Sequence, residues 1–411
     1  MGNFIAIHVL KQFNPGTFNR GDNGEAKQII IGGINRARFS SQSQKRAIRE
    51  LMACEEIRTA YIEKLIDKCL SKYVEDGTLT EDEKDIVGNA ICSKDVIGSD
   101  CWGKLKDSAK SDDTEGKGRV VVTTNASEIT SLINTFVTYL KDEGEKKFKD
   151  NIKKTAQQAA LQDVRISVAK AMFGTMATDG VLGTVDGAVE MGQAFSVDEY
   201  MPEPDFFSVK FVGRSGADEN DPFYGAYNEF ADAESAKYSG ETINDGLPLY
   251  SNVMYSYSNI NVKELERNLN SFVSPRKYVP VETTKDIMLE EIPKFVQAMI
   301  EVVPEATQRR SSSHVAPCAV LIEVIKDGSN IQPDWNKIIT ANAEFSTSEQ
   351  AVKKLGNFAS DKTFRSGDLK QYVMLSSDYK DFAKEFKGVQ EINSFNELKS
   401  VLKEDILTLI D

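Results

Sequence analysis

The side chains best suited to bind a ligand form one basic stretch near the N-terminus, Gly32–Met52, which we call the basic segment. It reads GGINRARFSSQSQKRAIRELM and places five basic side chains between Arg36 and Arg49, although the 411-residue chain has a formal net charge of −13. Alternation along an extended strand predicts Arg36 and Arg38 on one face and apolar side chains on the other. This strand is therefore expected to bury one face and to present charge on the other.

A helix is predicted to begin directly after that strand. Ser41 at the N-cap and Gln44 three residues later fit a capping box. Along the helix, Lys45, Arg46 and Arg49 share one face at i+3 and i+4 spacing. Free backbone N–H groups, hydroxyls and cations at a helix start favour phosphate binding, and mixed Arg and Lys suit a run of phosphates. The alternative is a solvated helix whose basic face pairs with acidic neighbours.

Other basic residues could extend this surface. Arg20 and Lys27 lie in and after a loop rich in Gly and Asn, and Arg309 and Arg310 precede a serine triplet. A lysine cluster in EKKFKDNIKK fits one face of a helix, and it is interpreted equally well as a solvated surface or as a second polyanion contact. Residues 1–50 hold eight Lys and Arg against three Asp and Glu, whereas residues 201–245 hold three against ten. Such regional segregation of charge permits nucleic-acid binding despite an acidic chain.

Several function classes find little support in the sequence. The chain has only two histidines, and His8 lies in an apolar run typical of a sheet core. The five cysteines are scattered without CxxC spacing, which argues against a disulfide framework and a structural zinc site. The phosphate-loop, dinucleotide-binding and HExxH motifs are absent, and no apolar run is long enough to span a membrane. We therefore expect a cytoplasmic, non-catalytic protein without a cofactor or metal.

The hydrophobic pattern predicts an α+β protein. Phe4–Leu10 is apolar on both alternating faces, as in a central strand, whereas residues 51–170 show helical spacing with few Gly and Pro. Further strands are expected at Tyr250–Val262, Pro317–Asp327 and Gln371–Ser377, and an amphipathic helix closes the chain. The order of elements is typical of a ferredoxin-like or RRM-like domain with inserted lobes.

Several motifs in order resemble the CasC family, the backbone subunit of the type I-E CRISPR Cascade complex. They include NFIAIHVL, the FNRGD loop, GGINRARFSSQSQKRAIR, FGTMATDG, VDGAVEMGQAF, MYSYSNINV and VPEATQR. The resemblance spans roughly residues 3 to 325 and is loose in the helical region and at the end of the chain. It implies an RRM-like palm (1–50, 171–200 and 248–411), helical fingers (51–170) and a long thumb loop (201–247).

In that family, copies of the subunit stack into a filament along one CRISPR guide RNA, alongside other Cascade subunits, and displace bases at intervals so that the guide pairs with target DNA. The positions that match the family's phosphate-binding palm motif are Arg20, Lys27, Arg38, Ser40, Gln42, Lys45, Arg46 and Arg49. Met176, Phe207 and Ser208 match the wedge beside the displaced base, and Gln308 and Arg309 match the pair that closes the RNA groove. A weaker match to the DNA-facing finger helix covers Lys146, Lys147, Lys149, Lys153 and Lys154.

Four departures from the family pattern limit what the resemblance implies, and one of them is Ser256, which stands where a basic residue is common. The thumb is longer and contains the acidic GADENDP, Gly21 replaces an acidic residue, and Thr307 replaces a lysine. Two other functions stay open. One is a metal-dependent ribonuclease of the type III kind, for which Asp22 is the loop carboxylate, although one carboxylate makes a poor metal site. The other is a structural filament that holds no nucleic acid.

Overall fold

The computed structural model describes most of the chain, namely residues 2–21, 25–54, 57–59, 62–97, 102, 122–152, 157–175, 181–203, 207–209, 241–243, 248–273, 277–304 and 312–410. The fold is mixed α+β, built on one sheet of nine mostly antiparallel strands. Its strands in chain order are β1 (Gly2–Gln12), β2 (Gln28–Ile31), β3 (Ile34–Phe39), β6 (Val189–Met191), β7 (Ala194–Ser196), β10 (Val253–Asn261), β11 (Ala319–Gly328), β12 (Asp368–Leu375) and β13 (Gln390–Glu391).

The strand order across the sheet is β13-β12-β11-β1-β10-β7-β3-β2, with β6 paired to β10 beside β7. Two-strand ladders outside this sheet pair β4 (Ile57–Thr59) with β5 (Val122–Thr124) and β8 (Phe207–Val209) with β9 (Glu241–Ile243). Only β12 and β13 pair in parallel among the strands described. The basic segment therefore lies at one end of the large sheet, because its strand β3 is next to β2, the edge strand of the sheet.

Strand β1 is central, as its two apolar faces predict. It pairs antiparallel with β10 on one side and β11 on the other. Ile5 and Ile7 belong to the apolar core on one side of the sheet, and Ala6 and Leu10 belong to the core on the other. A strand buried on both faces and both edges must satisfy every polar group within the protein. His8 does so as a core histidine, with Tyr255 Oη 2.8 Å from Nδ1.

Helices cover both faces of the sheet. Their bounds in chain order are α1 (Ser41–Leu51), α2 (Ile62–Glu75), α3 (Glu81–Ile91), α4 (Lys94–Ile97), α5 (Ala126–Asn151), α6 (Gln157–Leu161), α7 (Val168–Phe173), α8 (Val262–Leu269), α9 (Thr284–Glu301), α10 (Thr347–Ser360), a 3₁₀ helix (Ser377–Glu385) and α11 (Phe395–Ile410). Helices α2 to α6 fall in the stretch predicted to be helical. The boundaries of palm, fingers and thumb stay a prediction.

A buried ion pair joins the long helix α5 to α7. Lys170 Nζ lies 2.6 Å from Glu128 Oε1, and both side chains are almost completely excluded from solvent. The hydroxyl of Thr124 also donates to Glu128, at 2.9 Å. Buried charges persist only where partners compensate them, so this pair holds the base of the helical region against the segment that leads back to the sheet.

The predicted thumb is described only where it starts and ends. Residues 207–209 pair antiparallel with residues 241–243, so the two ends of this excursion form one short ladder. Residues 204–206, 210–240 and 244–247 lie outside the described residues. Among the helices that the structure describes, none is both long and apolar enough to cross a bilayer.

Candidate nucleic-acid interface

The basic segment begins with a tight hairpin between β2 and β3. Ile31 faces Ile34 across a two-residue turn, and the turn residues Gly32 and Gly33 have φ values of +61° and +81°. Glycine suits both positions because the turn requires positive φ. Gly32 also packs closely against the backbone of Asn336, where a Cβ would lie 2.0 Å from the carbonyl oxygen. This turn therefore fixes the register of β3 and the direction of its side chains.

The two faces of β3 differ as alternation predicts. Ala37 and Phe39 pack into an aromatic cluster with Phe13 and Phe18. Arg36 and Arg38 do not share this cluster. The expectation that both arginines would present charge is nevertheless wrong for Arg36, which is fully buried.

Arg36 is buried because residues 335–336 cover it. Its guanidinium donates to the carbonyl oxygens of Ser196 at 3.0 Å and Trp335 at 3.3 Å. Burial lowers the pKa of Arg36 below its usual value. Burial also disfavours the charged form of the nearby Asp198 carboxyl and raises its pKa to about 6. Hydrogen bonds and the charge of Arg36 lower this pKa but do not outweigh burial. Arg36 thus joins β3, β7 and the covering segment, and it does not belong to an exposed binding surface.

The start of α1 differs by one residue from the predicted capping box. Ser40, not Ser41, is the N-cap, and its hydroxyl accepts a hydrogen bond from the Ser43 amide at 3.3 Å. Gln44 does not complete a capping box. Its side chain is buried, and its amide donates to the Gly192 carbonyl at 3.4 Å. The predicted capping box is wrong because Ser43, not Gln44, lies three residues after the N-cap, and Gln44 lies on the buried helix face with Ala47 and Ile48.

Asn19 connects the loop after β1 to the start of α1. Its backbone carbonyl accepts from the Lys27 amide at 2.7 Å, and its side-chain oxygen accepts from the Ser40 amide at 3.0 Å. The Arg38 amide in turn donates to the Lys27 carbonyl at 2.9 Å. Arg20 lies next to Asn19, in a bridge with Ala26. The backbone thereby brings four of the predicted phosphate ligands, Arg20, Lys27, Arg38 and Ser40, to the same end of the sheet.

Arg38 is half-buried, and its partner is neutral. Its Nη1 donates to Gln193 Oε1 at 2.9 Å, and Gln193 Nε2 donates to Ser41 Oγ at 3.2 Å. Within the described part of the chain, Arg38 Nε is buried without a hydrogen-bond partner, and no carboxylate lies within ion-pair distance. The charge of this guanidinium is therefore not neutralised by the protein around it.

The cations of α1 have different surroundings. Arg46 is 74% exposed and pairs with Glu50 at 3.0 Å, an i,i+4 surface pair of the kind that contributes little to stability. Arg49 stacks on Phe173, with its guanidinium carbon 4.5 Å from the ring centroid. Lys45 is half-buried and Gln42 is exposed. A phosphate could replace Glu50 at Arg46 at small cost, whereas Arg49 is held against the segment that leads to Met176.

This geometry coincides with a family match over nearly the whole chain. The family model described as "CT1975-like protein", Cas_CT1975, matches residues 5–210 and 216–401. The chain belongs to the CT1975-like family. This family match confirms the resemblance to CRISPR backbone subunits that the sequence motifs indicated.

Solved structures share the fold of this CT1975-like chain. A chain from "CRISPR RNA-guided surveillance complex, pre-nicking" is 20% identical with a TM-score of 0.70, and the match covers 98% of this chain and 100% of that one. A chain from "CRISPR RNA-guided surveillance complex" is 20% identical with a TM-score of 0.63, covering 98% and 99%. No curated protein matches the sequence.

The remaining predicted contacts of the CT1975-like chain are described in part or not at all. Met176, Gln308, Arg309, Lys153, Lys154 and the alternative metal ligand Asp22 lie outside the described residues. Phe207 and Ser208 are described as part of β8 only. Lys147 and Lys149 each pair with a glutamate one turn earlier, Glu143 and Glu145. These pairs favour the solvated-surface interpretation of the lysine cluster, which also includes Lys146.

Two residues of the interface were missed by sequence reasoning. Asn19 lies inside the FNRGD loop, where a turn-forming Asn directly before Arg20 could have indicated its role. Gln193 lies in the VDGAVEMGQAF motif, but its residue type did not indicate its role, because that role depends on a contact with Arg38, 155 residues away in the chain.

Proposed function

We propose that this CT1975-like protein is a non-catalytic subunit that binds CRISPR guide RNA through its phosphates. In this proposal several copies polymerise along one guide in the cytoplasm, together with other subunits of a Cascade complex. The subunits displace bases of the guide RNA at intervals, so that the guide pairs with target DNA. The large sheet serves as an RRM-like palm, with helical fingers and a thumb (residues 201–247) that includes the ladder of β8 and β9.

The observation that carries the proposal is the grouping of Arg20, Lys27, Arg38 and Ser40 around the side chain and carbonyl of Asn19. A protein that holds a guide of any sequence must contact phosphates, because base contacts would restrict which guides bind. A helix start with adjacent cations provides such contacts. Family membership and the fold shared with chains of RNA-guided surveillance complexes support the same conclusion.

The proposal also assigns the wedge and the DNA contacts. Met176 and Phe207 would separate bases of the guide, with Ser208 beside them, and Gln308 and Arg309 would close the groove. Lys146, Lys147 and Lys149 would contact target DNA together with Lys153 and Lys154. We expect these contacts with DNA to be weaker than the contacts with guide RNA, because Lys147 and Lys149 must first separate from Glu143 and Glu145.

The test is co-expression of the chain with a CRISPR array, followed by measurement of the RNA that purifies with it. We expect the wild-type protein to carry guide RNA. The Lys45→Ala/Arg46→Ala variant should carry at least about tenfold less RNA per protein, because each lost phosphate contact removes the free energy of counterion release. The matched control is Lys399→Ala/Lys403→Ala, which removes two exposed lysines from α11. Equal RNA content in all three proteins would contradict the proposal.

The same preparation separates the alternatives. Protein without any RNA supports a structural filament instead. Metal-dependent cleavage of bound RNA that disappears in the Asp22→Ala variant supports the ribonuclease. Intact RNA in both proteins supports the non-catalytic role.

A further inference from the structure

The connection between β6 and β7 contains one extra residue relative to the facing stretch of β10. Four residue steps separate Met191 from Phe195, whereas three steps separate their partners on β10, Ser258 and Tyr255. An insertion of this kind is a β-bulge, which bends the strand and redirects a side chain. Here the inserted residue lies at Gly192–Gln193, immediately beside β3 and the start of α1.

The bulge contacts the basic segment at three points. The Gly192 carbonyl accepts from the Gln44 side chain, and the Gln193 amide joins Arg38 to the Ser41 hydroxyl. The orientation of the Gln193 amide is dictated by chemistry. Arginine has donors only, so the amide oxygen must face Arg38 and the amide nitrogen must face Ser41. One residue outside the basic segment thus fixes the last charged side chain of β3 relative to the first hydroxyl of α1.

The neutrality of this partner matters for an anion site. A carboxylate at position 193 would hold the guanidinium in place but would also neutralise it. Glutamine holds Arg38 through one N–H of Nη1 and leaves the full positive charge of the guanidinium. By contrast, the buried Arg365 is held by the carboxylate of Glu323 at 2.7 Å. Glu323 thus neutralises the arginine that it holds, whereas Gln193 holds Arg38 without neutralising it.

We propose that Gln193 is a positioning residue for RNA: through its amide it orients the Arg38 guanidinium and the Ser41 hydroxyl toward one phosphate of the guide while leaving Arg38 charged. This inference rests on the proposed function, because it names a residue that prepares the same phosphate site. It predicts separate effects for losing the hydrogen bonds of Gln193 and for adding a charge.

The experiment measures binding of the full-length protein to an unstructured single-stranded RNA oligonucleotide over a range of salt concentrations. Gln193→Leu removes both hydrogen bonds, and we expect about threefold to tenfold weaker binding with an unchanged salt slope. Gln193→Glu neutralises Arg38, and we expect weaker binding together with a salt slope reduced by about 0.7, one phosphate contact on a single strand. The matched control is Gln390→Glu, the same charge change on β13 at the opposite end of the sheet.

A double-mutant cycle separates positioning from a general structural effect. In the Arg38→Ala background, Gln193→Leu should weaken binding by a smaller factor than in the wild-type protein, because only its effect on the Ser41 hydroxyl then remains. Thermal unfolding of each variant shows whether the fold is retained. If Gln193→Leu lowers affinity equally with and without Arg38, or if Gln193→Glu leaves the salt slope unchanged, the positioning role is wrong.

The outcome for Gln193 is distinguishable from that for the proposed function. Normal RNA binding by both Gln193 variants, combined with loss in Lys45→Ala/Arg46→Ala, overturns only the positioning role. Failure of the wild-type protein to bind RNA overturns the proposed function and with it the role of Gln193.

Discussion

Arg36 and Arg38 lie two residues apart on β3, but the regions that surround their side chains differ. Around Arg36, residues 335–336 close over the sheet, and carbonyl oxygens of the chain accept the guanidinium donors. Around Arg38, the surface is open enough to leave the side chain half-buried, and its partner is the neutral amide of Gln193. The comparison teaches that the use of an arginine depends on what its donors already contact. Arg36 serves the stability of the fold, and Arg38 keeps charge and donors for a ligand.

The strongest way to break this comparison is Arg36→Met. The substitution leaves the carbonyls of Ser196 and Trp335 without donors in a buried region, and we expect the free energy of unfolding to fall by about 3–5 kcal/mol. Urea unfolding measures the loss. The folded fraction should still bind single-stranded RNA with nearly wild-type affinity, and a large loss of RNA affinity at unchanged stability would reverse the roles assigned to the two arginines.

A second test concerns the buried carboxylate that neutralises Arg365. Glu323 also contacts His8 and Gln371. Burial by itself raises the pKa of Glu323, but the hydrogen bond and charge of His8 and the charge of Arg365 outweigh it and lower the pKa to about 2.

Since the pKa of Glu323 is lower in the folded protein than its usual value of 4.5, its carboxylate stabilises the fold above about pH 4.5. That contribution, roughly 3 kcal/mol, is lost as the pH falls from about 4.5 to about 2. We therefore expect the difference in unfolding free energy between the wild-type protein and Glu323→Gln to shrink over this range in urea titrations. A difference that is independent of pH would show that Glu323 acts through packing alone.

The smallest expected effect on stability is that of Arg38→Met, the counterpart of Arg36→Met. Because Arg38 is half-buried and bonded to one neutral amide, its loss should change the free energy of unfolding by less than about 1 kcal/mol. Affinity for single-stranded RNA should fall about tenfold, with a salt slope reduced by about 0.7. A loss of stability similar to that of Arg36→Met, without a change in RNA affinity, would remove the distinction between the two regions.

Much of the fold followed from the hydrophobic pattern. The central strand β1, the helices within residues 51–170 and the closing helix α11 are local features, in which hydrophobic periodicity dominates. The start of α1 was misplaced by one residue because Ser40 and Ser41 are equally good N-caps by composition. Tertiary contacts distinguish the two serines, because Gln44 is buried against the Gly192 carbonyl and the Ser40 amide donates to the Asn19 side chain.

The sequence by itself determined which residues of this protein are candidates for phosphate binding and which segments are strands and helices, because residue type and spacing are local properties. The tertiary structure alone decided which of these cations is buried in the fold, which is paired with a carboxylate and which is half-buried beside a neutral side chain. The buried Arg36 donates to the carbonyl oxygen of Trp335, Arg46 is paired with Glu50, and the half-buried Arg38 is oriented by Gln193. Two of these three partnerships join residues far apart in the chain, and burial and charge compensation are set by such contacts rather than by sequence neighbours.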